Sequence, residues 1–338
     1  MSNKSIVFTA KNTSEIIDVG SAELKEDEVL VKLVRSAISA GTERANITGD
    51  PNTSIYSTEL NYSFPRYGGY SSAGVVEAIG DAVSSVKPGD RVAISWSFHR
   101  QYCIQKESRI YKLPDGVSFG AAALVHIATF PAAAIRKCRL EFGESALVMG
   151  FGVLGIIALK ILRAAGASPI IVADPVKEKR ELAIKHGADF ALDPLDSDFA
   201  KRVKEITDGG VAVAIEVTGI GAGLDGALDC MKKFGRVALL GCTRNSDFSI
   251  DYYRKVHGPG ITLIGAHTLA RPEKESHGGW WTERDEALAL INLINTGRLD
   301  FDSLIEEVHT PLEHKEVYGR LVKDRSFPIV EFDWSELK

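Results

Sequence analysis

Three glycines between two apolar runs have the spacing that cradles a phosphate group. Gly150, Gly152 and Gly155 follow the apolar run Ala146–Met149, and an apolar stretch with helical spacing continues to Ala165. In a strand–turn–helix unit the first glycine allows the tight turn, the second lets a pyrophosphate approach the backbone, and the third lets the helix lie close to the strand. We therefore predict that this loop binds a dinucleotide. The predicted contacts are Gly150, Phe151, Gly152, Val153, Leu154 and Gly155.

An aspartate stands where the next apolar run ends. Asp174 lies nineteen residues after the last glycine of the loop, and a carboxylate there can accept hydrogen bonds from both ribose hydroxyls of adenosine. It would repel a 2′-phosphate, so the sequence predicts NAD rather than NADP, with Asp174, Pro175 and Lys179 as contacts. Lys177, Lys179 and Arg180 could instead meet a 2′-phosphate, although they are also typical of a solvated helix face.

The composition limits the class of protein. The chain has 338 residues, a net charge of −5 and 45% hydrophobic residues, which suits two globular domains. No run of Lys or Arg indicates a nucleic-acid or lipid surface. The first residues lack a secretory hydrophobic core and no apolar span could cross a bilayer, so we expect a cytoplasmic protein with a small-molecule substrate. The four scattered cysteines indicate small core residues rather than disulfides or a compact zinc site.

The hydrophobic pattern changes along the chain. From Ile6 to about Ile110, short alternating runs with a Pro-Gly-Asp turn predict a β-barrel-like domain. From Gly120 the chain is Ala-rich and helical, with Pro131 interrupting or starting a helix. Strands and helices then alternate, with LDGALDCMKKF as one helix, which predicts a six-stranded doubly wound parallel sheet of the α/β class. An amphipathic helix ending at Gly297, a strand, a Pro turn, a helix and a last strand follow.

Short motifs along the chain occur in a characteristic order, namely VKPGDRV, GFGVLG, HGAD, EVTG and LLG. With this order of elements, the chain resembles the medium-chain dehydrogenase/reductase superfamily over essentially its whole length. The resemblance implies a GroES-like β-barrel domain over residues 1–124, a Rossmann dinucleotide-binding domain over 125–270 and a return segment over 271–338 that completes the first domain. It also implies a cleft between the domains for nicotinamide and substrate, and we expect a homodimer or homotetramer.

The zinc ligands of the family are missing from this sequence. Zinc alcohol dehydrogenases have Cys-Gly-Thr/Ser-Asp where Ala40–Glu43 reads AGTE, and Gly-His-Glu where Gly68–Tyr70 reads GGY. The resemblance therefore places Ala40, Gly69 and Val125 at the three ligand positions, and none of them can bind a metal. The Cys-rich lobe that holds structural zinc in many relatives is also absent. We expect an enzyme without zinc.

Without zinc, a side chain must handle the proton of a substrate hydroxyl. Thr42 occupies the family's proton-relay position and is the first candidate, but a threonine needs a partner that acts as the final base. The possible partners are Glu43, Tyr70 and His126. Glu43 could equally be a structural carboxylate, and Tyr70 could be a buried ring with one satisfied hydroxyl. His126 could be a packed structural residue, or it could be the base, because a histidine titrates near working pH.

Later strand ends nominate further cofactor contacts, because the carboxyl ends of a doubly wound sheet line the ligand crevice. These contacts are Val217, Thr218, Gly219, Gly241, Cys242, Gly265, Ala266 and His267. Trp280 and Trp281 stand beside two glycines. They could stack on a sugar ring, or they could make core or subunit contacts.

The predicted function is NAD-dependent oxidation of a secondary alcohol, with a hydroxyl on a sugar, cyclitol or glycoside ring favoured. The substrate class depends on a closer resemblance to bacteriochlorophyllide hydroxyethyl dehydrogenase and bacterial glycoside dehydrogenases, carried by the GTE segment, the HGADFALDP run and the WW stretch. Two alternatives remain at this point. One is an NADPH-type quinone or enone reductase, and the other is a dinucleotide-binding sensor that catalyses nothing.

Overall fold

The chain forms two compact units in the computed structural model. The structure describes residues 2–20, 22–54, 57–243 and 248–337. Unit 1 contains the chain up to Ile127 and again from Ala287 onward, and unit 2 is Ala128–Glu286. The last part of the chain therefore returns to the first unit. Within the described ranges, no helix has the length and the apolar composition needed to span a membrane.

The elements are numbered in chain order. The strands are β1 Lys4–Ala10, β2 Thr13–Asp18, β3 Glu28–Ala37, β4 Asn52–Ser54, β5 Ser57–Asn61, β6 Arg66–Tyr67, β7 Ser71–Ile79, β8 Arg91–Ser95, β9 Tyr102–Lys106, β10 Ile110–Lys112, β11 Ala146–Met149, β12 Ile170–Ala173, β13 Phe190–Leu192, β14 Val211–Glu216, β15 Met231–Leu239, β16 Thr262–Gly265, β17 Glu307–His309 and β18 Val330–Asp333. The helices are α1 Ala40–Thr48, α2 Phe119–Ala123, α3 Val125–Lys137, α4 Val153–Ala164, α5 Lys177–Lys185, α6 Phe199–Ile206, α7 Gly221–Asp229, α8 Glu283–Asn295 and α9 His314–Lys323. Shorter 3₁₀ turns are Glu107–Arg109, Asp302–Leu304 and Pro311–Glu313, and a π-helical turn is Tyr253–His257.

Unit 1 is built on a mixed sheet that recruits a strand from the end of the chain. Its order is β10-β8-β7-β3-β18-β17, with β9 also paired to β3, and a second sheet has the order β2-β1-β6. Strand β18 lies antiparallel to β3, with Phe332 opposite Ser36. Alternate residues of these strands, such as Val29, Val31 and Leu33, are buried in one apolar core. The GroES-like β-rich domain expected from the sequence is confirmed.

Unit 2 contains one parallel sheet of six strands in the order β13-β12-β11-β14-β15-β16. Counted within the unit, this is the order 3-2-1-4-5-6 of a doubly wound dinucleotide fold. Its central strands are buried on both faces, and every residue of β11, β12 and β14 is buried. The predicted six-stranded Rossmann sheet is confirmed.

Two helix predictions differ from the structure. The helix predicted over LDGALDCMKKF ends at Asp229, and the chain from Met231 onward is strand β15. Met231 pairs with Val211 of β14, so pairing to a distant strand overrides the local helical pattern. Pro131 neither starts nor interrupts a helix, because α3 runs through it from Val125 to Lys137.

The boundary of unit 2 lies beyond the predicted residue 270, at Glu286. The extra segment is held by side chains at the end of α3. Arg136 forms an ion pair with Glu286 at 2.7 Å and stacks over Trp281 at 3.4 Å, while the Lys137 ammonium lies 4.6 Å from the Trp280 ring. These cation–π contacts with the two tryptophans, together with the ion pair to the buried Glu286 carboxylate, explain why the segment belongs to unit 2.

Glu331 is a buried carboxyl group in the core of unit 1. Its side chain in β18 is 0% exposed, and neither carboxyl oxygen has a hydrogen-bond partner among the described residues. Burial raises its pKa well above the ordinary value of 4.5; Arg35 opposes this shift, and Asp302 and Asp333 add to it. The folded state therefore binds a proton more tightly than the unfolded chain does.

We expect the free energy of unfolding to fall as pH rises from about 4.5 towards the raised pKa of Glu331, because the folded protein must bury a charge or keep the proton. Glu331→Gln should be more stable than the natural protein above this range and similar below it. Melting temperature against pH checks this. Glu307→Gln is the control with opposite sign, since Arg320 lowers the pKa of Glu307 and that stability is lost as pH falls. Equal melting curves for Glu331→Gln and the natural protein would contradict the assignment.

Candidate active site

The geometry of the loop after β11 gives its three glycines the conformational roles expected of them. Gly150 has a φ of +99°, in the left-handed region that favours glycine. A Cβ atom on Gly155 would lie 2.2 Å from the carbonyl oxygen of Gly150, so α4 packs directly against the turn. A Cβ atom on Gly152 would meet no heavy atom of the described residues within 4 Å. Open space therefore lies at the glycine where a pyrophosphate is expected.

The start of α4 fits an anionic group. Gly152 is the N-cap residue and Val153 the first residue of this twelve-residue helix. The first N–H groups of a helix have no acceptor within it, and the helix dipole favours negative charge there. A Cβ atom on Gly152 would fill the open space beside these N–H groups. The residues present therefore fit a dinucleotide pyrophosphate.

Asp174 links the end of β12 to the glycine loop. Its carboxylate is buried and accepts the Phe151 N–H at 2.8 Å through Oδ2 and the Val176 N–H at 2.9 Å through Oδ1. Each carboxylate oxygen can still accept a second hydrogen bond. Arg180, one of the three cations that could meet a 2′-phosphate, donates to the backbone oxygen of Asp174 and to the Asp193 carboxylate.

The ends of β14 and β15 meet at one point. A Cβ atom on Gly241 would lie 2.2 Å from the nitrogen of Gly219, and one on Gly219 would lie 2.7 Å from the carbonyl oxygen of Cys242. Glu216 was not predicted; its carboxylate accepts from the backbone N–H groups of Thr218 and Gly219 and holds this turn. Burial raises the pKa of Glu216. Cys242 is exposed, whereas the other three cysteines are buried. The prediction that the cysteines are small core residues is therefore wrong for Cys242.

The same turn borders the glycine loop. A Cβ atom on Gly150 would lie 2.9 Å from Thr218 and 3.1 Å from Val217. Strands β11 and β14 are adjacent and their following helices start here, so the predicted residues of both loops lie at the point where the strand order reverses. Ligands of doubly wound sheets bind at this position.

The end of β16 carries a cationic group of side chains. Lys137 donates to the Gly265 carbonyl at 3.2 Å, and burial together with the charge of Arg271 lowers its pKa to about 8. Burial and the same two cations lower the pKa of His267. Ala266 is buried beside them. No local pattern indicates this role of Lys137, because Gly265 lies 128 residues away along the chain.

The two tryptophans proposed as a sugar platform are engaged by cations of their own unit. Trp281 is covered by Arg136 and Trp280 by Lys137. His277 and Trp280 exchange backbone hydrogen bonds at 2.8 and 2.9 Å, which closes a tight loop. One ring face of each tryptophan is thus occupied, which favours the structural alternative for them.

Thr42 and Tyr70 bring hydroxyl groups together in unit 1. Thr42 lies in the first turn of α1 and is half-buried. Tyr70 is half-buried, and its hydroxyl donates to Ser39 Oγ at 2.5 Å. Burial raises the pKa of Tyr70 to about 12, and its hydrogen bonds with Ser39 and Thr42 act in the opposite direction. The three hydroxyl groups form one cluster at the start of α1.

The remaining candidates in unit 1 are buried. Glu43 is 0% exposed and accepts the Ser39 N–H at 2.9 Å. His126 is also buried, and its ring centroid lies 5.6 Å from that of Tyr70 and 4.8 Å from that of Trp96. Trp96 has a φ of +59°, a conformation that non-glycine residues rarely adopt, and its N–H donates to the Tyr70 carbonyl at 2.8 Å. The structure thus brings His126 and Tyr70 together.

The position of Gly69 has no room for a ligand side chain. Gly69 has a φ of +82°, and a Cβ atom there would lie 2.4 Å from the His99 ring. A side chain at this position would point at His99, whereas the neighbouring Tyr70 is the residue beside His126 and Ser39. A ligand side chain in place of Gly69 would therefore collide with His99.

Comparison with known proteins identifies the class. The chain matches the alcohol dehydrogenase GroES-like domain over residues 25–139 and the zinc-binding dehydrogenase family over residues 153–277. It therefore belongs to the medium-chain dehydrogenase/reductase superfamily. It is an oxidoreductase of the alcohol dehydrogenase type, which acts on CH–OH groups with a nicotinamide cofactor.

Named relatives are moderately similar. The D-guloside 3-dehydrogenase of Shigella flexneri is 27% identical over 246 residues, which are 72% of this chain and 68% of that protein. The D-arabitol-phosphate dehydrogenase of Enterococcus avium is 25% identical over 348 residues, which cover 93% and 92% of the two chains. The structure of an oxidoreductase/dehydrogenase of unknown specificity from Escherichia coli has a TM-score of 0.83 at 20% identity, covers 98% and 99%, and shows the shared fold.

Proposed function

We propose that this protein oxidises a secondary hydroxyl on a sugar, cyclitol or glycoside ring to a ketone, with NAD and without zinc. The observation that carries the proposal is the hydroxyl cluster of Ser39, Thr42 and Tyr70 at the start of α1, beside Ala40, which the resemblance assigns to a zinc-ligand position. The substrate class is supported by the relatives, of which one is named for a guloside and another for a sugar alcohol phosphate.

Alcohol oxidation must remove a hydride and a proton from the substrate. NAD, when bound, accepts the hydride. The Thr42 hydroxyl binds the substrate oxygen and accepts the substrate's hydroxyl proton. At the same time it passes its own hydroxyl proton towards His126, which is the final acceptor. Tyr70 stays protonated at neutral pH because its pKa is raised to about 12, so it donates a hydrogen bond and does not act as the base.

Glu43 is not the final acceptor in this proposal. Its carboxylate already accepts the Ser39 N–H and the Tyr318 O–H and lies 3.1 Å from Nε2 of His99, so groups other than the Thr42 hydroxyl occupy it. A general base must reach the proton it removes, directly or through one water. The structural interpretation of Glu43 is therefore favoured over the catalytic one.

The residues at the ligand positions do not fit a catalytic zinc. Ala40 and Val125 have no ligand atom, Gly69 has no room for a side chain, and Tyr70 holds its phenolic proton because its pKa is about 12. Among the residues that the structure describes, no group of three or more His, Cys, Asp or Glu side chains could hold a metal ion. A side-chain mechanism follows from this chemistry.

Cofactor choice is tested at Asp174. The natural protein should bind NAD more tightly than NADP, and Asp174→Ala should reduce the ratio of the two affinities by about tenfold or more, because hydrogen bonds from ribose to a charged group are worth about 1.5–3 kcal/mol. Titration of both variants with both cofactors measures this. The ratio of the two affinities is decisive, because loss of the Phe151 and Val176 hydrogen bonds would weaken the binding of both cofactors to the same extent.

A nearby carboxylate supplies the matched control for this test. Asp189→Ala removes a carboxylate that pairs with Arg163 and accepts the Ile170 N–H, and it should leave the ratio unchanged. Equal affinity of the natural protein for NAD and NADP would contradict the assignment. A panel of glycosides, cyclitols, polyols, quinones and enones, followed by absorbance of the reduced cofactor, separates the proposed oxidation from the reductase and sensor alternatives.

A further inference from the structure

A buried hydrogen-bond network lies behind the hydroxyl cluster. Glu43 Oε2 accepts the Tyr318 O–H at 2.6 Å and lies 3.1 Å from Nε2 of His99, in addition to the Ser39 N–H on Oε1. Glu43 and His99 are both 0% exposed and Tyr318 is 1% exposed. Burial and the negative charge of Glu43 hold the pKa of Tyr318 well above its usual value, so it remains a donor.

The network fixes which nitrogen of His99 carries the proton. Ser36 Oγ accepts the Trp334 indole N–H at 2.8 Å and lies 2.7 Å from His99 Nδ1. A carboxylate only accepts hydrogen bonds, so His99 donates through Nε2 to Glu43, and the Ser36 O–H is available to donate to Nδ1. In this arrangement Glu43 accepts three hydrogen bonds, which is how a buried carboxylate avoids a large desolvation cost.

Glu43 is connected to the hydroxyl cluster through a single helical turn. The Ser39 N–H bonds to Glu43, while Ser39 Oγ accepts the hydroxyl proton of Tyr70. Thr42 lies in the same turn, one residue before Glu43. A shift of Glu43 would therefore move both hydroxyls, and a displacement of about 1 Å at a reacting centre can cost about 100-fold in rate.

We propose that Glu43, His99 and Tyr318 form a positioning network that holds the turn from Ser39 to Glu43, and thereby sets where the hydroxyls of Thr42 and Tyr70 meet the substrate. The inference rests on the proposed function for its effect on catalysis. It goes further in assigning roles to His99 and Tyr318, neither of which touches the hydroxyl cluster.

The sharpest variant is Tyr318→Phe, which removes one hydrogen-bond donor to Glu43 and keeps the buried ring. Tyr111→Phe is the matched control, since Tyr111 is equally buried in unit 1 and its hydroxyl accepts the Ser95 O–H at 3.2 Å rather than bonding to Glu43. Tyr318→Phe should lower kcat about tenfold with little change in KM. Tyr111→Phe should leave kcat unchanged.

A second variant and a second measurement separate positioning from stability. Glu43→Gln places an amide where three donors point, and Glu43→Asp restores the acceptor with a shorter side chain. Hydrogen exchange of the 39–43 turn, measured without substrate, should accelerate in Glu43→Gln and Tyr318→Phe, partly recover in Glu43→Asp, and stay unchanged in Tyr111→Phe. Global melting temperature is measured beside it.

Each outcome is decisive. Faster exchange confined to the turn, with reduced kcat, supports the network. Unchanged exchange and unchanged kcat in Tyr318→Phe would overturn it. It would also be overturned if Tyr318→Phe and Tyr111→Phe both lost kcat in proportion to their loss of melting temperature. If the natural protein oxidises no alcohol while exchange of the turn responds as expected, the positioning network stands and the proposed function fails.

Discussion

Replacement of Thr42 by valine should lower kcat by about 100-fold and leave the Kd for NAD unchanged. Valine keeps the β-branched shape in α1, but it removes the hydroxyl that is proposed to hold the substrate oxygen and relay its proton. Acid–base groups of this kind contribute about 10²–10⁴-fold. Steady-state kinetics with the best ring alcohol measures kcat, and cofactor titration measures the Kd.

The same helix provides the control for this variant. Thr48 is also in α1, and its hydroxyl bonds to the Arg44 carbonyl at 2.8 Å, so Thr48→Val makes the same chemical change away from the cluster. It should keep kcat within about twofold, since it touches no reacting group. Thr42→Ser, which keeps a hydroxyl, should recover most of the rate. Equal activity of Thr42→Val and the natural protein would remove Thr42 from the mechanism.

Glycine substitutions in the loop after β11 should separate folding from cofactor binding. In Gly155→Ala the new methyl group would lie 2.2 Å from a backbone oxygen, which cannot move like a flexible side chain. Overpacking of this kind costs about 1–3 kcal/mol. We expect both the melting temperature and the affinity for NAD to fall.

Gly152→Ala is the informative contrast. Its methyl group meets no heavy atom within 4 Å in the part of the chain that the structure describes, and Gly152 has an ordinary φ of −83°, so the melting temperature should not fall. The methyl group would nevertheless occupy the space expected for the pyrophosphate, and NAD affinity should fall by about tenfold or more. Gly319→Ala, in an open position of α9, should change neither property. Normal NAD binding by Gly152→Ala would contradict the placement of the pyrophosphate.

The parts of the site that depend on local spacing could be predicted from the sequence. The glycine loop, the following helix and Asp174 lie within thirty residues, and their conformations follow from backbone sterics and from the strand–helix pattern. The six-stranded sheet could be predicted for the same reason, because each strand has its own apolar run.

The parts that depend on distant pairing could not be predicted. His99 and Glu43 are separated by 56 residues, and Tyr318 and Glu43 by 275. No local pattern indicates that these side chains meet, or that His99 fills the space beside Gly69. The end of α7 was mispredicted for a related reason, because pairing of Met231 with Val211 converts a helical pattern into strand.

The most direct test of the central claim is the rate of NADH formation from a ring alcohol before and after exhaustive treatment with a zinc chelator. The account predicts that the treated protein contains no stoichiometric zinc and keeps its full rate with NAD, since Thr42 and His126 handle the proton. Loss of the rate on chelation, with recovery when zinc alone is added back, would contradict the account.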